Sequence, residues 1–225
     1  MIKYHTKLIQ GSDEWLAARC GLLTASEIKL ILTPTLKIAS NDKERAHLYE
    51  IMAQRITGYT EPSYISDDMI RGQEDEIKSR ILYDAAYAKV DDMGFVTNDE
   101  WGFTIGYSPD GLVGDDGLIE CKSRRQKYQI ETILSGACPE EYILQVQTGL
   151  LVTRRKWTDF ISYCGGLPMV TIRVFPDLVI QEAIIKAAIM FEFKLAENIE
   201  KYNAVLKSGI RLIPTERTVA QEMHL

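Results

Sequence analysis

The stretch SPDGLVGDDGLIECKSRR, residues 108–125, constrains the fold more than any other. Two short apolar runs flank a break rich in Gly and Asp, the pattern of a β-hairpin. Read as a three-residue loop, Asp115-Asp116-Gly117 with Gly117 in the left-handed region, the break sets a register. Val113 then faces Ile119, Leu112 faces Glu120, and Asp110 faces Lys122. Strand side chains alternate, so Glu120 and Lys122 share one face and Asp110 joins them there. A two-residue loop would send Asp110 to the other face.

Two close carboxylates repel each other, and a cation between them removes the repulsion. Hard oxygen ligands favour Mg²⁺, which keeps several waters and takes phosphate oxygens. A lysine alongside can stabilise charge on a transferring phosphoryl group, or position or deprotonate an attacking water. The plainer alternative is a solvated hairpin with an Asp turn and a surface Glu–Lys pair.

The rest of the chain reads as helices, strands, a helix, strands and a helix. Residues 12–19 and 24–32 suit short helices joined at Gly21, with Thr24 and Glu27 forming a capping box. Residues 42–58 suit another helix. Residues 66–88 suit a longer one, with Ile70, Ile77 and Ile81 as a buried stripe. Strand character runs through 93–123, helix through 139–152, strands through 157–164 and 169–175, and a long helix through 177–206. The tail 207–225 looks irregular. With no repeat and no linker composition, the 225 residues read as one domain of the α/β class, a central mixed β-sheet flanked by helices.

No apolar run has the length of a signal peptide or a membrane span, so the expected compartment is the cytoplasm. The four cysteines are scattered without a CxxC pair, which predicts buried free thiols rather than zinc or disulfides. Net charge is −6, so the chain does not coat nucleic acid by charge alone. Any nucleic-acid surface must gather its basic residues locally. Ser26 falls in the first turn of the helix capped by Thr24, where free N–H groups attract anions, and Arg19 can grip phosphate bidentately.

Pro109-Asp110 followed by Glu120-Cys121-Lys122 resembles the PD-(D/E)xK nuclease signature. The flanking blocks sharpen the likeness. QGSDEWLAARCGLLTASEI (10–28), RGQEDEIKSRILY (71–83), SPDGL (108–112), IECKS (119–123) and YILQVQTGLLVT (142–153) resemble, in order, those of phage lambda-type exonucleases, the YqaJ-like viral recombinase group. The resemblance spans residues 10 to about 165. It implies a restriction-endonuclease-like core and Mg²⁺-dependent digestion of one strand of linear duplex DNA, 5′→3′, leaving a 3′ overhang. Mn²⁺ would substitute. It also implies a ring-shaped homotrimer, a single-strand annealing protein as partner, and a phage or prophage origin in a bacterial host.

The same resemblance assigns roles. Asp110, Glu120 and the backbone carbonyl of Cys121 become metal ligands, with the Cys121 thiol turned into the core, and Lys122 becomes the catalytic lysine. Glu76, four residues after Gly72, brings a further acid to the metal; Glu74 is its rival, and Gly72 would permit close approach. Gln145 hydrogen-bonds near the metal-bound water or scissile phosphate, with Gln147 a weaker candidate. Arg19, Ser26 and Ser108 match a pocket for the 5′-terminal phosphate, while Trp15 reads as core. Arg124, Arg125 and Lys127, and then Arg154, Arg155 and Lys156, are candidates for lining the DNA path. The rivals are a RecB-type or structure-specific endonuclease on the same fold, and a non-catalytic DNA-binding assembly protein. The cluster-bearing RecB type needs late cysteines, and none follows Cys164.

Overall fold

The computed structural model describes residues 1–62 and 66–217. In chain order its elements are β1 (Ile2–His5), α1 (Asp13–Arg19), β2 (Leu23–Thr24), α2 (Ile28–Ile31), α3 (Asp42–Thr57), α4 (Asp67–Ala86), β3 (Phe95–Asn98) and β4 (Ile105–Tyr107). Then come β5 (Gly111–Val113), β6 (Gly117–Ser123), α5 (Gln126–Ser135), α6 (Glu140–Thr153), β7 (Trp157–Tyr163), β8 (Val170–Val174) and α7 (Leu178–Leu206). The mixed α/β class is as expected, but the described strands form two four-stranded sheets, β1-β3-β4-β2 and β5-β6-β7-β8. Each sheet holds one parallel pair, β2 with β4 and β6 with β7. The tail beyond Arg217 lies outside the described residues, and residues 207–217 carry no regular element beyond a turn. Among the described residues no helix is long and apolar enough to cross a membrane.

The helix α6 is the hub. Val146 and Leu150–Val152 are buried in the main core with Phe160, Ile184, Ala187 and Phe191. The opposite face of β6 builds a second cluster, in which Ile119 and Cys121 meet Val113, Ile161 and Tyr83 of α4. The Cys121 thiol thus points into the core, as its strand parity predicts. All four cysteines are free; Cys121 and Cys164 are buried, while Cys20 and Cys138 are only partly so.

Three expectations are corrected. Residues 24–32 are not one helix: Thr24 is extended and pairs with Gly106, Ala25–Glu27 form a 3₁₀ turn, and helix begins at Ile28. The capping box itself is present, with Thr24 N–H donating to Glu27 Oε2 at 3.0 Å. The apolar stripe of α4 faces outward, with Ile77 60% and Ile81 63% exposed. The helix instead buries Asp75, Ser79 and Tyr83, because β6 and β7 offer it polar partners. Ser123 Oγ donates to Asp75 Oδ2 at 2.6 Å, and Tyr83 Oη donates to Asp159 Oδ2 at 2.6 Å. No protein group among the described residues comes within 4 Å of a Cβ at Gly72, so none makes the close approach expected there.

Candidate active site

The hairpin that carries the acids has a three-residue loop, but one step earlier than its sequence suggests. Gly111 pairs with Ile119, Leu112 with Leu118 and Val113 with Gly117, so the loop is Gly114-Asp115-Asp116. The left-handed residue is Gly114, at φ +51°. Gly117 lies in the strand, paired with Val113, and is glycine there because a Cβ would meet the Trp157 ring at 2.2 Å. Shifting both ends of the loop keeps the parity. Extended one pair, the register sets Asp110 opposite Glu120 rather than Lys122, and all three side chains remain on one face. Arg155 braces the loop by donating from Nη1 to the carbonyls of Gly114 and Gly117, both at 2.7 Å.

Glu120 is the centre of the site and only 1% exposed. Its Oε1 accepts from Lys122 Nζ at 2.6 Å and Gln145 Nε2 at 2.5 Å, and its Oε2 accepts from Tyr107 Oη at 2.8 Å. Gln145 reaches it from α6, whose Gly149 permits the approach of Tyr107: a Cβ at 149 would stand 2.7 Å from that ring. Asp110 is half-buried and accepts the Cys121 N–H on Oδ2 at 2.6 Å. Gln10 fixes the preceding residue by donating to the Pro109 carbonyl at 2.8 Å.

The electrostatics show how crowded this face is. Burial pushes the Asp110 carboxyl well above the carboxylate range, and Glu120 and Glu76 push it further. Burial also raises Glu76, with Glu120 adding and Arg80 and Lys122 opposing. Burial alone would depress Lys122, but Glu120 and Asp110 outweigh it and hold the ammonium above the usual lysine range. Three acids therefore share one lysine within electrostatic reach, an excess of negative charge that fits a divalent cation and hard oxygen donors. Among the described residues, no three His, Cys, Asp or Glu side chains already converge as a ready ligand set. Asp110 and Glu120, with the Cys121 carbonyl next to them in sequence and Glu76 in electrostatic reach, are the groups that could hold such a cation. Glu74 is instead exposed and pairs with Lys78.

Arg19, Ser26 and Ser108, expected around a terminal phosphate, lie close together. Arg19 Nη1 donates to Ser108 Oγ at 3.1 Å and Nη2 to Thr24 Oγ1 at 3.2 Å, and Ser26 Oγ lies 3.4 Å from Thr24 Oγ1. Burial lowers the Arg19 guanidinium, against the pull of Glu27, and its hydrogen bonds go to hydroxyls rather than to a carboxylate. Trp15 belongs to this pocket and not to the core. Its Nε1 donates to Ser108 Oγ at 3.0 Å, and Arg19 lies 4.3 Å over its ring.

The basic candidates divide. Arg124 is buried, bound to Glu141 and to Tyr142 Oη, and Arg155 holds the hairpin loop. Arg125 and Arg154 are exposed and pair with exposed Asp68 and Glu100. Lys156 pairs with Asp116, whereas Lys127 lies over the Tyr128 ring. Gln147 is buried at the β8–α7 junction, where Nε2 donates to the Phe175 carbonyl and Oε1 accepts from Asp177 N–H, both at 2.8 Å. Sequence reasoning missed Tyr107, whose one signal was its place three residues before Asp110, and Trp15's role.

Comparisons with known proteins place the chain among nucleases. The alkaline exonuclease of Laribacter hongkongensis is 33% identical, with a TM-score of 0.77 over 87% of this chain and 98% of that one. The same enzyme in complex with dAMP superposes with a TM-score of 0.78, at 33% identity and the same coverage. A phage related exonuclease from Haemophilus somnus 129PT shares the fold at 12% identity, with a TM-score of 0.52 over 79% of this chain and 96% of that one. No match emerges among curated proteins. The model of the YqaJ-like viral recombinase domain matches residues 14–156, which supports a nuclease. The chain belongs to the YqaJ-like viral recombinase family.

Proposed function

We propose that this protein is a Mg²⁺-dependent exonuclease that degrades one strand of linear double-stranded DNA 5′→3′ and leaves 3′ overhangs. The observation that carries the reading is the convergence of Lys122 and Gln145 on Glu120, with Asp110 held on the same face. Asp110, Glu120, the Cys121 carbonyl and Glu76 would hold the metal. When bound, Mg²⁺ polarises the scissile phosphate and lowers the pKa of an attacking water, and Mn²⁺ can do the same on oxygen ligands. Lys122, an ammonium beside two carboxylates, stabilises the negative charge that develops on the phosphoryl oxygens. Gln145 orients the water from the α6 side. Tyr107 keeps Glu120 in place, and burial, followed by the Glu120 charge, raises its hydroxyl so that it stays a donor.

Polarity comes from the pocket of Arg19, Ser26 and Ser108, steadied by Trp15, in which a terminal 5′-phosphate would take the donors of Arg19. Arg125 and Arg154 are the arginines a DNA backbone could draw from their exposed partners, whereas Arg124 is already held by Glu141 and Tyr142, and Arg155 by backbone carbonyls. On family grounds the reading extends to a homotrimer enclosing the duplex and to a single-strand annealing protein that receives the overhang. The parent test is digestion of linear duplex labelled on either strand, with and without Mg²⁺. Metal-dependent loss of the 5′ label alone is expected. Equal cutting of closed circular DNA would favour the endonuclease alternative and overturn the reading.

A further inference from the structure

Beyond Lys122, the catalytic face of β6 continues to Arg124, which alternates onto the same side as Glu120 and Lys122. Its side chain is 6% exposed, and two of its contacts, Glu141 and Tyr142 Oη, use Nη1. Its Nε–H is buried with no partner among the described residues. A buried donor left unpaired destabilises the folded chain. Arg124 lines a cleft of about 380 Å³ between α5 and the start of α6. The cleft adjoins the catalytic centre: Tyr142 stands between Arg124 and Lys122, 5.2 Å and 5.6 Å from them.

The lining states what would fit. Glu131, Glu140 and Glu141 stand against the single cation, so a phosphate is disfavoured there. Tyr128, 40% exposed, forms a wall with Arg124 5.1 Å from its ring. The site therefore suits a flat, uncharged group with an acceptor for the Arg124 guanidinium, whose hydrogen bonds to Glu141 and Tyr142 use Nη1, and amino donors for the glutamates, which describes a nucleobase. A base would take the place of exposed Lys127, now 4.6 Å over the Tyr128 ring. The phosphate pocket is carried by α1, β2 and the β4–β5 link, whereas this cleft lies past the C-terminal end of β6, beside α5 and α6.

We propose that this cleft is a nucleobase subsite for the nucleotide that follows the scissile phosphate, on the side away from the Arg19–Ser108 pocket. The proposal rests on the nuclease reading. Its test is single-turnover release of the first nucleotide from linear duplexes with an abasic residue at the first or second position of the degraded strand. A duplex with the abasic residue in the complementary strand controls for lost pairing. The second-position duplex should be cleaved about tenfold more slowly, in line with the worth of one base–aromatic contact. The first-position and complementary-strand duplexes should stay close to the intact rate. Ala137→Trp, which fills the cleft away from Asp110, Glu120 and Lys122, should slow the intact duplex similarly and erase the abasic effect. Insensitivity at the second position, sensitivity confined to the first, or an undiminished effect in the folded Ala137→Trp protein would overturn the subsite. Failure to cleave any duplex would overturn the nuclease reading and this inference with it.

Discussion

Glu120 illustrates how one buried charge can organise a site. A carboxylate removed from water costs several kcal/mol unless donors replace the solvent, and Glu120 has three: Lys122, Gln145 and Tyr107. Tyr107→Phe strips Oε2 of its donor. It should cost about 1–3 kcal/mol in denaturant unfolding, together with a fall in cleavage rate and little change in DNA affinity. At this scale the sequence was informative where the geometry is local. Alternation places Glu120 and Lys122 together, and the turn parity adds Asp110, even though the loop itself begins at Gly114. Tyr107 and Trp15 were not legible, because their partners lie 13 and 93 positions away and meet only through packing between elements.

Elements hold these residues in place through surfaces that propensity does not reveal. The helix α6 serves as both core and scaffold, and its Gly149 admits the Tyr107 ring that reaches Glu120. Gly149→Ala raises helix propensity yet places a methyl group 2.7 Å from that ring. The clash should dominate and destabilise the protein by about 1–3 kcal/mol. A thermal melt that moved upward would contradict this. The stripe of isoleucines on α4 misled for a related reason. Periodicity marks an apolar face, but β6 and β7 present Ser123 and Asp159 to this helix, so Asp75, Ser79 and Tyr83 turn inward instead. The helix α5 went unread because its buried side, Gln129 and Thr132, is polar: Gln129 donates to the Ser162 and Pro168 carbonyls.

Across the whole molecule, the site draws on both sheets. The sheet β1-β3-β4-β2 supplies Tyr107 and the pocket residue Thr24, and β5-β6-β7-β8 supplies Glu120 and Lys122. On the far side, α7 is tied to α3 by a bidentate Arg55–Glu192 pair and by Lys194–Glu44 at 2.8 Å. Three of the chain's 32 acidic residues, Asp110, Glu120 and Glu76, gather around one lysine. Asp110 and Glu76 hold protons more tightly in the folded chain than in the unfolded one. Their contribution to stability is therefore present at low pH and lost as pH rises through their raised folded values. A cation competes with those protons. Mg²⁺ should raise the melting temperature, by about 2.7 kcal/mol of stability at a hundredfold excess over Kd. The rise should be larger near pH 8 than near pH 6, and should vanish in Asp110→Asn.

The central claim is that the Asp110–Glu120–Lys122 face performs the chemistry on DNA. Its most direct test is Lys122→Ala, assayed for cleavage of linear duplex DNA in Mg²⁺ and for DNA binding in the same preparation. The account predicts that cleavage falls by at least about a hundredfold, the scale of losing one charge-stabilising donor, while binding persists. Cleavage at the unaltered rate by a folded Lys122→Ala protein would contradict it.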